Sequence, residues 1–85
     1  MEKRNNAGNA NKADSIIVTK EDIGRNIKKL RTALGFTQVQ VAKRARMSVS
    51  HFGQMERGKV HSTVLTFFRI SKALRIETYK LFVKE

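Results

Sequence analysis

The chain has 85 residues, with 18 Lys and Arg against 7 Asp and Glu, so its formal net charge is +11 at pH 7. That length holds one small domain with a core of marginal size, and a chain with no cysteine has no disulfide or thiolate-bound metal to reinforce it. A basic domain of this size most often meets nucleic acid, and more rarely an anionic membrane surface.

Residues 1–15 are expected to be a disordered tail: the stretch is rich in Asn, Ala, Lys and Gly and has no apolar periodicity. No apolar run approaches the ~20 residues of a membrane span, and nothing reads as a signal peptide, so a cytoplasmic location with no membrane partner is expected. The folded domain is expected over residues 16–85. Ile16, Ile17 and Val18 are three β-branched residues in a row, ill suited to water. Thr19 and Asp22 have the spacing of a capping box, and Val18 and Ile23 that of a hydrophobic staple. Val18 therefore has a local role, whereas Ile16 and Ile17 must pack on this domain's own core or on a partner chain.

A first helix is predicted over about residues 20–34, with Ile23, Ile27, Leu30 and Leu34 on one face and Gly35 as its stop. Thr37 caps a second helix whose apolar positions step through Val41, Ala42 and Ala45, with Arg44 at its end. Met47-Ser48 interrupts the pattern, and Ser48 caps a third helix. Its Phe52 and Met55 share one face, with Val49, Ser50, Gly53 and Gln54 on the other. Gly58 stops that helix, after Arg57 in its last turn, where a cation suits the helix dipole. A fourth helix begins near Ser62 or Thr63, and most of Val64, Phe67, Phe68, Ala73 and Leu74 are expected in the core. A fifth, short helix is predicted over about residues 77–83, with Leu81 and Phe82 inward. With no strand pattern after Val18, no repeat and no proline, the expected fold is all-α and has five helices.

The segment 37–59 resembles the helix-turn-helix of the phage-repressor and Cro-like (Xre-type) DNA-binding family. The resemblance rests on Leu34-Gly35-Phe36-Thr37-Gln38, Ala42, Ser48, Phe52 and above all Glu56-Arg57-Gly58-Lys59. It continues without a gap through Leu74 to Phe82, roughly three quarters of the chain. A compact lambda-repressor-like domain is implied. Two positions depart from the family pattern. Arg46 stands where the family usually has a turn glycine, so a left-handed backbone there would cost about 1 kcal/mol. Gly53 stands where the family has a small polar residue, and weakens its helix by about as much.

The resemblance puts Val49, Ser50 and Gln54 at base-reading positions. Gln54 can pair with adenine N6 and N7, Ser50 can donate or accept, and Val49 can pack on a thymine methyl. The plainer reading makes Ser50 a solvated helix-start residue and Val49 a stray exposed one. Gln38 is implied as a phosphate clamp at the start of the second helix, where the helix N-terminus favours an anion. Lys59 and His61 would reach the backbone from the loop after the third helix, and His51 from its exposed side. Lys43 and Arg46 either join them or form a solvated basic face. Residues 1–4 are a phosphate-touching arm or an idle tail. Arg31 and Glu56 occupy positions where the family commonly buries an Arg–carboxylate pair.

An enzyme has little support. His51 and His61 lie among basic and polar residues, and Glu56 is the only acid between Asp22 and Glu77. No metal site, cofactor or phosphate-binding glycine loop is expected. The expected function is a sequence-specific, double-stranded-DNA-binding transcriptional regulator, bacterial or phage-encoded and nucleoid-associated, acting as a repressor. Activators of this fold often present acids on the second helix, which here offers Val39, Gln40, Lys43 and Arg44. A homodimer on a palindromic operator is expected, paired through Tyr79, Phe82 and Val83 of the fifth helix or, as second choice, through Ile16 and Ile17. The alternatives are an antitoxin with a toxin or other protein partner, a restriction-modification controller, and a protein-interaction adaptor.

Overall fold

In the computed structural model, which describes residues 18–84, each α-helix starts at a hydroxyl and has a left-handed residue within two positions of its end. The helices are α1 (Lys20–Leu34), α2 (Gln38–Arg44), α3 (Val49–Glu56) and α4 (Val64–Leu74). The Thr19, Thr37, Ser48 and Thr63 hydroxyls accept the backbone N–H groups of Asp22, Gln40, His51 and Thr66, leaving fewer orphan donors at each start. At Thr19 and Thr37 the box closes reciprocally, through the Asp22 carboxylate at 3.0 Å and the Gln40 amide oxygen at 2.8 Å. The Thr19 N–H, more than any other group, holds the Asp22 carboxyl below the usual carboxylate range; the Thr19 hydroxyl, Lys84 and Arg25 act in the same sense, against the effect of burial.

At the other ends, Gly35, Arg46, Gly58 and Arg75 all have φ near +60 to +81°. After each, a backbone N–H reaches back five residues: Phe36 to Arg31, Met47 to Ala42, Lys59 to Gln54 and Ile76 to Ser71. Glycine adopts that conformation freely, whereas an L side chain costs about 1–2 kcal/mol. Two of the four stops are arginines. Arg46→Gly and Arg75→Gly should therefore each stabilise the chain by about 0.5–1 kcal/mol, part of the relief being offset by the freer unfolded state. Unchanged denaturant midpoints in both variants would show that the turns carry no strain.

The core is Ile27, Val41, Ala42, Ala45, Phe52, Met55, Ile70, Ala73, Leu74 and Leu81. α1 packs on α3, α2 on α3 and α4, and the C-terminal segment on α1 and α4. Two arginines tie α2 to α4: the Arg69 Nε–H donates to the Ala45 carbonyl at 3.1 Å, and Arg44, stacked over the Phe36 ring at 4.6 Å, points Nη1 at the Ala73 carbonyl. α1 and α3 come close at Gly24, where a Cβ would stand 2.4 Å from the Met55 carbonyl oxygen.

The structure departs from the sequence expectation in several places. Leu34 shares the stripe of Ile23, Ile27 and Leu30 yet is exposed, as are Val64 and Phe68 on α4, with Val64 at 77%. Periodicity sets the direction in which a side chain points, not how far along the helix a packing partner extends. The fifth helix is a 3-10 helix, Thr78–Phe82, with no side-chain bond at its start. Asn26 on α1 explains much of this, because its Nδ2 donates to the Leu81 carbonyl at 2.9 Å and the Val83 carbonyl at 2.7 Å. Those carbonyls thus have a partner without further helical turns. Phe82 turns inward and meets Phe67 edge-on with ring centres 5.5 Å apart, leaving Tyr79 and Val83 as the exposed members of the expected dimer trio. The expected tail, 1–15, and the Ile16-Ile17 surface lie outside the described residues. Among the described residues there is no strand.

Candidate nucleic-acid interface

The eight residues of α3 divide cleanly into a buried and an exposed face. Phe52, Met55 and Glu56 are buried, with Phe52 fully enclosed, while Val49, Ser50 and Gln54 are exposed and His51 is half-buried. The turn that aims α3 consists of Ala45 to Ser48, with left-handed Arg46 and the Met47 N–H donating to the Ala42 carbonyl at 3.0 Å. Gly53 is buried rather than open as its place in the sequence pattern suggests. Lys43, Arg46, Lys59 and His61 are exposed.

One carboxylate organises the base of this unit. Glu56 Oε2 accepts from Arg31 Nε at 2.5 Å, and its Oε1 accepts from Arg31 Nη2 at 3.2 Å and from the Gln38 Nε2 amide at 2.8 Å. Arg31 Nη1 donates to the Phe36 carbonyl at 2.9 Å. The Arg31 side chain is 12% exposed and that of Glu56 2%. The pair therefore joins α1, the α1–α2 loop and α3, and fixes Gln38 at the first residue of α2. Gln38, expected as a phosphate clamp, has one amide proton committed to Glu56.

Three features of the site were not read from the sequence. Gly24 sets the depth of α3 against α1, and Asn26 holds the C-terminal segment. The Arg57 guanidinium lies back over Gly53, where a Cβ would be 3.2 Å from its Nη1. The i, i+4 spacing of Gly53 and Arg57 was the available signal for that contact. Among the described residues no group of His, Asp and Glu could hold a metal ion, and no helix is long and apolar enough to cross a membrane.

The helix-turn-helix family HTH_3 matches residues 27–81, the span from the middle of α1 to the 3-10 helix. The chain belongs to this family. It is similar to an uncharacterized HTH-type transcriptional regulator, y4dJ, of Sinorhizobium fredii, at 32% identity over 59 residues, covering 69% of this chain and 77% of that one. Among solved structures it resembles the restriction-modification controller protein C.AhdI from Aeromonas hydrophila, with a TM-score of 0.72 and 30% identity, covering 74% of this chain and 96% of that one. It also resembles an HTH_3 family transcriptional regulator from Vibrio cholerae, with a TM-score of 0.70 and 28% identity, covering 74% of this chain but 35% of that longer one. The matched span contains α2, α3 and the turn at Arg46 that joins them.

Proposed function

We propose that this helix-turn-helix protein is a sequence-specific, double-stranded-DNA-binding transcriptional regulator that acts as a repressor, bound as a homodimer to a palindromic operator. The observation that carries the reading is the exposed face of α3. Val49, Ser50 and Gln54 face outward from a helix whose other face is locked by Phe52 and Met55, on a chain of net charge +11. A helix so presented reads bases from its first turns in the major groove, with Gln54 as the main discriminator for adenine. Lys59 and His61 beyond α3, His51 on it, and Lys43 and Arg46 before it take the flanking phosphates. The exposed side of α2 carries Val39, Gln40, Lys43 and Arg44 and no acid, which favours repression over recruitment of polymerase.

One recognition helix reads only about four or five base pairs, so two readers about 34 Å apart are needed to find a site in a genome. Tyr79 and Val83 supply exposed apolar area for the pairing. Selection of bound fragments from random DNA should yield a palindrome with half-sites one duplex turn apart. On it, Gln54→Ala should cost about 1–3 kcal/mol and relax preference at one base pair per half-site. With about 6–10 phosphates neutralised by the dimer, log K should fall against log salt with slope about −0.9 per contact. Binding that ignores salt, or a selection that enriches nothing, defeats this function.

A further inference from the structure

We propose that the outer face of α1 docks an acidic peptide segment of a partner protein, with Arg25, Lys28 and Lys29 as its cations and Asn26 as a buried acceptor. The inference goes beyond the DNA-binding reading and does not depend on it. Arg25, Lys28, Lys29 and Thr32 are exposed and stand at i, i+3, i+4 and i+7, one stripe along the helix. The stripe lies about 100° around α1 from Gly24 and Arg31, which face α3. α3 turns Met55 and Glu56 toward α1 and its exposed residues away from it, so a duplex held on α3 leaves these three cations unused. With Asn26, the four stripe residues line a concavity of about 410 Å³. Among the described residues its walls come from this one helix, so it is an open trough. Such a shape suits a chain laid along it better than a compact small molecule, which needs enclosure.

Charge, an unmet acceptor and spacing fix the chemistry of the occupant. The Arg25 side chain is 70% exposed and keeps donors beyond the one on Asp22, and Lys28 forms no ion pair among the described residues. Asp22, the acid beside the stripe, is shared between Arg25 and Lys84, the latter at 3.6 Å, so the trough is net positive. Asn26 is 8% exposed, and its Nδ2 protons go to the Leu81 and Val83 carbonyls, which leaves Oδ1 as a buried acceptor with no partner among the described residues. That oxygen wants a donor. A phosphodiester backbone offers only acceptors, whereas a peptide offers an N–H at nearly every residue. Arg25 and Lys29 stand about 6 Å apart along the helix, and alternate residues of an extended chain about 6.6–6.8 Å apart on one face. Acids at alternate positions therefore meet both cations, with Lys28 between them. The chain's own residues 1–17 supply the wrong charge, since Lys3, Arg4 and Lys12 outweigh Glu2 and Asp14.

The probe is a fluorescein-labelled peptide of about ten residues alternating Glu and Ser, with Gln replacing Glu in the control, titrated with the full chain at about 50 mM salt. The acidic peptide should bind and the control should not. Lys28→Glu combined with Lys29→Glu should weaken the peptide about tenfold or more, because two attractions become repulsions. Lys43→Glu combined with Lys59→Glu changes the net charge equally on other elements, and should weaken it less than about twofold. In the ¹⁵N-labelled chain the peptide should shift the Asn26 side-chain amide and the backbone amides of residues 25–32, and leave α3 unmoved. No binding, equal losses in the two double variants, or shifts centred on α3 overturn the proposal. So does a stripe variant that alters the resonances of residues 1–17 in the free chain, which makes the chain's own tail the occupant. A mixed-sequence duplex of about 20 base pairs that displaces the peptide and shifts residues 25–32 itself also overturns it, and gives this face to nucleic acid.

Discussion

Arg31→Met should destabilise the fold by about 3–5 kcal/mol, because it leaves the Glu56 carboxylate charged and buried with Gln38 as its remaining side-chain partner. For a small domain whose total stability is about 5–15 kcal/mol, that is a large share. The cost comes from the stranded partner more than from the lost attraction, since removing two charges from water offsets most of their mutual gain. Arg31→Met combined with Glu56→Leu should therefore recover much of the loss. Denaturant midpoints of the two single variants and the double one measure the coupling. A single variant unfolding at the wild-type midpoint would mean that the pair contributes nothing. The rescued double variant should still bind DNA less well than wild type, because Gln38 loses the acceptor that orients its amide.

Gly24→Ala should also destabilise, although alanine in a helix normally gains up to about 1 kcal/mol over glycine. The added Cβ would stand 2.4 Å from the Met55 carbonyl oxygen and 2.7 Å from that of Glu56. These are backbone atoms, so no rotamer change relieves the clash, and α1 must move away from the last turn of α3. Overpacking of this kind costs about 1–3 kcal/mol, and the upper end is expected here. Because the displaced turn carries Glu56 and leads into Arg57, duplex binding should weaken alongside the fall in thermal midpoint. A midpoint above wild type would show that the two helices have room to spare.

These two positions differ in how visible they are without a structure. Glu56 stands out as a lone acid in a basic stretch, and with Arg31 it fits the family's spacing. Gly24 sits mid-helix with nothing beside it in the sequence to mark the carbonyls it faces. The same contrast runs through the chain. The helix starts at Thr19, Thr37 and Ser48, and the stops at Gly35 and Gly58, were legible because a cap is a bond between residues at most five apart. The helix-turn-helix was legible because it combines such local signals at fixed spacing. Leu34 lies on the apolar face of α1 yet is exposed, Val64 and Phe68 fall outside the core that takes Phe67, Ala73 and Leu74, and the end of the chain is a 3-10 helix. Asn26, 55 residues from the Leu81 carbonyl it binds, and Arg57 over Gly53 beside Gln38 were decided only by the tertiary structure. Helical periodicity specifies the direction of a side chain, whereas the neighbour it meets depends on how distant helices pack, which no local pattern encodes.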